Sequence, residues 1–339
     1  MEWKNTEVFA EETLMQSRKH FSKVGFVYLL GAIMIFAVQF LLGQILWSFV
    51  PQLMENSDFL LVVSSLSMYV IAMPMLVMLA KRIPSVEIQK SHKMGIGKWF
   101  VAFFMCYALM YLSNLAGVFI TTILGFVIGD PVSNPLQEVV TELSPVTACF
   151  VMVVCAPIAE EYVFRKVLVD RTVRYGEKTA IVLSGLMFAL FHGNLNQFVY
   201  AFGLGVFLGF IYAKTGRIVY TITLHAALNF MGSVPGLLLL KMEVFTQLEQ
   251  MSEDPSAVSE LFLRYPSQIL LYVLFMVLIL ILVIIGCVCW ALNFKKMKCE
   301  YGKVTLPKGR RFRTIILNAG MGFYCLFWIV QMIQQIFTE

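Results

Sequence analysis

Apolar stretches interrupted by short polar loops make up most of the chain, at roughly 24–48, 59–80, 100–129, 146–169, 179–193, 197–213, 217–240, 268–294 and 314–337. A helix crossing the hydrocarbon layer needs about 20 apolar residues, so most of these stretches predict membrane-spanning helices. The fifth and sixth are short, which suits a helix that is tilted, partly re-entrant or shielded from lipid by its neighbours. The expected fold is all-α, a polytopic transmembrane helical bundle of about eight to nine spans. No internal repeat, low-complexity segment or second domain is visible.

Composition strengthens this reading: 59% of the residues are hydrophobic and 14% are charged. Soluble domains run nearer about 45–50% and about 25%, so a soluble globular protein, a disordered chain, a coiled coil and a secreted disulfide scaffold are excluded. The seven cysteines are odd in number, form no CxxC pair and mostly lie in apolar runs, which reads as small buried hydrophobes. Residues 1–23 mix Glu2, Glu7, Glu11 and Glu12 with Lys4, Arg18, Lys19 and Lys23. No short apolar core with a small-residue cleavage site follows, so a cleaved signal peptide is not expected.

Charge placement says more than the net value of +5, which does not argue for nucleic acid. Taking alternate loops, all 26 basic residues except Lys241 and Arg264 fall on one side. The positive-inside rule places that side, and the N-terminus, in the cytoplasm. The expected organisation is a cytoplasmic tail at 1–23, N-terminal transmembrane helices at 24–140, and a core at 141–240. An external acidic loop at 241–267 and C-terminal transmembrane helices at 268–339 complete it. The loop carries Glu243, Glu249, Glu253, Asp254 and Glu260. The basic stretch 295–313 is expected to touch anionic lipid headgroups.

An ionisable residue inside a span is expensive and therefore a functional candidate. The fourth stretch reads Cys155-Ala-Pro-Ile-Ala-Glu160-Glu161-Tyr-Val-Phe-Arg165, the fifth ends Phe188-Ala-Leu-Phe-His192, and the seventh contains His225-Ala-Ala-Leu-Asn229. His20 and His92 fall in charge-rich stretches and read as solvated. Glu160 and Glu161 project about 100° apart on a helix, while Glu161 and Arg165 share one face and can pair. That leaves Glu160 to face another neighbour and act as a general base on water, assisted by His192. His225 and Asn229, one turn apart, can supply two donors to an oxyanion. Together these groups fit amide hydrolysis by activated water.

A zinc site on Glu160, His192 and His225 is the competing chemistry, but HExxH is absent and the spacing does not decide it; metal-free water activation is favoured. Each residue also has a structural reading. Glu161 and Arg165 can be glue, a single intramembrane His or Asn can bridge helices, and Pro157 can be only a kink. Three helices would then each need a separate reason to carry a buried polar group. Counted along the helices, Glu160 sits about 9 Å, His225 about 12 Å, Asn229 about 18 Å and His192 about 20 Å from the cytoplasmic ends. These levels agree only if the fifth stretch tilts or starts inside the cytoplasm.

The ordered motifs Glu160-Glu161-x-x-x-Arg165, Phe188-x-x-x-His192 and His225-x-x-x-Asn229 resemble the CAAX protease and bacteriocin-processing family of intramembrane proteases, also called the Abi family. The resemblance covers roughly residues 140 to 240. It implies that Glu160 activates water, His192 assists, His225 and Asn229 serve the oxyanion, and Glu161 and Arg165 support the site. His192 also opens a second HxxxN ending at Asn196, so the last assignment rests on motif order. The family's eukaryotic-type core is described with eight spans, one fewer than the nine stretches read here.

The resemblance implies an endopeptidase acting on a membrane-embedded or lipidated peptide. Family members include enzymes that cleave a prenylated C-terminal tripeptide, and bacterial peptide processors and immunity proteins. Absence of signal and retention motifs fits a bacterial plasma membrane, with the endoplasmic reticulum as the alternative. Two other classes use the same residues without proteolysis: a catalytically silent scaffold or regulator, for example of a sensor kinase or of bacteriocin immunity, and a proton-coupled transporter. Intact motifs weigh against the first and the lack of a repeat against the second.

Overall fold

The computed structural model of the chain describes residues 2–89, 93–132, 134, 141–250 and 261–337. The side chains of 2–12, 249 and 250 lie outside this description, as do His92, Glu253, Asp254 and Glu260. Every apolar stretch forms a helix: α1 Glu2–Phe49, α2 Ser57–Ala80, α3 Ile96–Ile128, α4 Pro145–Tyr175, α5 Glu177–Phe191, α6 Leu195–Thr215 and α7 Ile218–Leu240. The short α8 Glu243–Gln250 lies in the acidic loop, and α9 Pro266–Asn293, the short α10 Arg311–Ile315 and α11 Ala319–Phe337 follow. No strand occurs among the described residues.

Among the described residues, eight helices are long and apolar enough to cross a membrane, and α5 is the exception. Its 15 residues rise about 22 Å, short of a hydrocarbon layer of about 30 Å. It packs along α6 instead, joined to it by a turn at Gly193 and Asn194. Large apolar side chains on α3 and α9, such as Phe119, Phe126, Leu280 and Val288, stay exposed. In a membrane these faces meet lipid tails at no cost.

Loop contacts sort the chain ends of these helices into two faces. On one, Arg18 donates to the Leu317 carbonyl, Val86 N–H to Asp170 O, Val304 N–H to Arg174 O, and Lys214 pairs with Glu177 at 2.5 Å. On the other, Asp58 accepts from Ser144 N–H at 2.9 Å, Ser57 meets Glu142, and Gln268 accepts from Val244 N–H. The first face collects the basic loops.

The buried side chains form two main clusters. Phe21, Val24, Tyr28, Leu76, Phe164, Phe188, Tyr324 and Trp328 join α1, α2, α4, α5 and α11. Tyr107, Leu208, Leu224, Leu228 and Ile279 join α3, α6, α7 and α9. Where α4 meets α7 the clusters adjoin, and the candidate residues lie on that seam. Close helix approach depends on missing side chains. A Cβ at Gly320 on α11 would fall 1.8 Å from the Ser22 carbonyl oxygen of α1. Small residues let backbones touch where the hydrophobic effect offers no drive between helices in lipid.

Two sequence expectations are corrected. His20 is not solvated: it is 8% exposed, and its Nε2–H donates to the Arg171 carbonyl at 2.7 Å. The charge-rich stretch continues α1 as helix and packs this ring against Tyr175. Among the cysteines only Cys106 is buried; Cys287 and Cys299 are exposed and the other four are intermediate. An apolar stretch marks contact with lipid as readily as contact with protein.

Candidate active site

The backbone of α4 departs from regular α-helix on both sides of the glutamates, with π-helical turns at Cys149–Cys155 and Tyr162–Val167. The amide of Ala156 bonds the Val151 carbonyl five residues back. Continuing that register, the Met152 carbonyl would be met by the amide of residue 157, and Pro157 has none. Asn229 of α7 supplies the missing donor, its Nδ2 donating to Met152 O at 2.8 Å. In the second π turn Tyr28 of α1 donates to the Val163 carbonyl at 2.7 Å, and Ser184 of α5 to the Phe164 carbonyl at 2.7 Å. Irregular backbone at membrane depth is tolerated where neighbouring side chains satisfy it, as here.

These turns set the glutamates. Glu161 is fully buried, and both of its oxygens are engaged: Oε2 lies 3.0 Å from Arg165 Nε and Oε1 lies 3.0 Å from His225 Nδ1. Arg165, itself fully buried, donates through Nη1 to Ser184 Oγ at 3.1 Å and stacks 4.6 Å over the Phe188 ring. Glu160 points elsewhere, as the 100° offset predicts. Its Oε1 accepts from the Tyr69 hydroxyl at 3.4 Å, a long bond, and its Oε2 lies 4.0 Å from His225 Nε2, beyond hydrogen-bond reach. One imidazole thus lies between the adjacent carboxylates, bonded to one and facing the other.

His192 caps the end of α5, where Nδ1–H donates to the Phe188 carbonyl at 2.8 Å and leaves Nε2 with its lone pair. Its ring centroid lies 4.7 Å from that of Phe188 with the rings near perpendicular, and the His225 centroid lies 5.9 Å from the same ring. Glu160 and His225 both lie within electrostatic reach of His192. The depth conflict resolves at Gly176. Helix α4 continues past Lys166 to Tyr175 before the chain reverses, and Glu160 and His192 are equidistant in sequence from that turn. Gly176 has φ +104°, a left-handed conformation that L side chains rarely adopt.

Tyr69 is the site neighbour that sequence reading missed. It sits in a third π-helical turn, Ser67–Ala72 of α2, and its only signal was a hydroxyl in an apolar stretch. Ser184 was missed for the same reason. Among the described residues, no group of three or more His, Cys, Asp or Glu side chains converges closely enough to hold a metal ion.

A buried carboxylate with a free oxygen, a neighbouring imidazole lone pair and a charge-compensated second carboxylate can move a proton from water. Residues 142–231 match the Rce1-like family model, type II CAAX prenyl endopeptidase. The Rce1-like segment holds all six candidate residues, from Glu160 to Asn229. Tyr69 lies outside it. The Rce1-like family points to an intramembrane protease. No curated protein and no solved structure matches the chain.

Proposed function

We propose that this chain is an intramembrane endopeptidase that hydrolyses a peptide bond of a membrane-embedded or lipidated peptide with a water activated by Glu160. The observation that carries the reading is the asymmetry of the glutamates: Glu161 is ion-paired with Arg165 and bonded to His225, whereas Glu160 keeps an oxygen for water.

Glu160 takes a proton as the water oxygen adds to the carbonyl carbon. His192 orients that water through Nε2, because Nδ1 is committed to the Phe188 carbonyl. His225 holds Nδ1–H toward Glu161, which fixes the ring and turns Nε2 toward the oxyanion. Asn229 uses one N–H on Met152 and has a second for the same oxyanion. Collapse breaks the C–N bond, and Glu160 returns its proton to the leaving amine.

In this reading the chain sits in a bacterial plasma membrane, and the positive-inside rule orients the basic face and the N-terminus toward the cytoplasm. The deciding experiment is comparative peptidomics of cells carrying wild-type protein or Glu160→Gln. Peptides that disappear in the variant at equal protein level support proteolysis and identify substrates; identical peptide sets refute it.

A further inference from the structure

At the basic face, a cavity of about 320 Å³ opens between α1, the end of α4, the segment after α2 and the loop before α10. Lys19 and Lys23 of α1 and Arg174 of α4 line it, with Gln16, Ser17 and the ring of His20. Gln16, Lys19, His20 and Lys23 follow the three- and four-residue spacing that stacks side chains on one helix face. Among the residues whose side chains are described, no carboxylate pairs with Lys19, Lys23 or Arg174, although Lys166 and Lys214 on the same face are paired with acids. Arg171 adds a buried cation beneath, held by the Ala80 and Val167 carbonyls. Arg174 lies 5.1 Å over the Tyr175 ring, a contact that attracts the cation without supplying an opposite charge.

Like charges gathered around one concavity repel unless an anion enters it. The cavity also has a defined depth. Lys23 is the last charged residue of α1 before the apolar stretch that begins at Val24, and Arg174 stands just before the Gly176 reversal. That is the level of lipid phosphates, where Lys and Arg side chains reach to the interface. We propose that this cavity binds the phosphate of an anionic lipid headgroup, clasping α1 to α4 at the membrane surface. The ligand chemistry is a phosphate group, which a free phosphate ion shares.

The test is native mass spectrometry of the purified full chain titrated with short-chain phosphatidylglycerol, phosphatidylcholine or inorganic phosphate. Preference for phosphatidylglycerol is expected in wild type and in Lys98→Gln/Lys178→Gln, which removes two exposed charges from the same face. Lys19→Gln/Lys23→Gln should weaken phosphatidylglycerol binding about 30-fold, from about 1 kcal/mol per cation at an anionic surface. Arg174→Gln should weaken it about fivefold on the same basis. Unchanged binding in the α1 variant, or an equal loss in the control pair, overturns the proposal. Saturation by inorganic phosphate with no preference between the two lipids assigns the cavity to the free ion and also overturns it.

Discussion

His225 Nδ1 lies 3.0 Å from Glu161 Oε1 while Arg165 Nε lies 3.0 Å from the other oxygen of the same carboxylate, so Glu161 is spent on structure and its neighbour Glu160 is not. Substitutions at the two positions therefore separate. Glu160→Gln should abolish peptide cleavage and leave thermal unfolding of the detergent-solubilised protein nearly unchanged. Glu161→Gln should lower stability by about 3–5 kcal/mol, because a fully buried arginine loses its counter-charge. Equal stabilities for the two variants would contradict this division.

Replacing both partners of that buried pair tests the same point from the other side. Glu161→Gln/Arg165→Met should recover most of the stability lost in Glu161→Gln, since the penalty arises from one uncompensated charge. Additive losses in the double-mutant cycle would mean that the ion pair is not the source.

Asn229 meets a carbonyl that Pro157 orphans, which predicts a specific rescue. Asn229→Leu should cost about 1–3 kcal/mol by leaving the Met152 carbonyl unsatisfied. Adding Pro157→Ala restores a backbone N–H and should return much of that loss. Proteolysis should not return with it if the second N–H of Asn229 serves the oxyanion. A double variant as unstable as the single one would refute the backbone explanation.

Tyr69 donates to Glu160 from outside the Rce1-like segment. Tyr69→Phe should lower kcat about fivefold with KM little changed, the size of one net hydrogen bond of about 1 kcal/mol. An increase in KM alone would assign Tyr69 to substrate binding.

Zinc dependence is tested by chelation. The candidate ligands do not converge in threes among the described residues. A chelator should leave the cleavage rate unchanged. Loss of activity restored by zinc would return the metal reading.

The apolar stretches, the segregation of basic loops and the motif residues were legible in the chain because each is a local property. Hydropathy over about 20 residues decides whether a helix can sit in lipid, and residue spacing decides which side chains share its face. The pairing of Glu161 with Arg165, four residues on, followed from that spacing alone. The sequence did not contain, in any window, the meeting of α2, α4, α5 and α7. That depends on axial register and rotation, which are set by backbone contacts such as Gly320 on Ser22 and by π turns whose carbonyls need donors from other helices. Tertiary structure therefore decided which glutamate is free, brought Tyr69 to it, levelled His192 with Glu160 across the Gly176 turn, and buried His20. Composition declared the chain a membrane protein. Only packing selected which of its few buried charges hold the bundle together and which one keeps an oxygen for water.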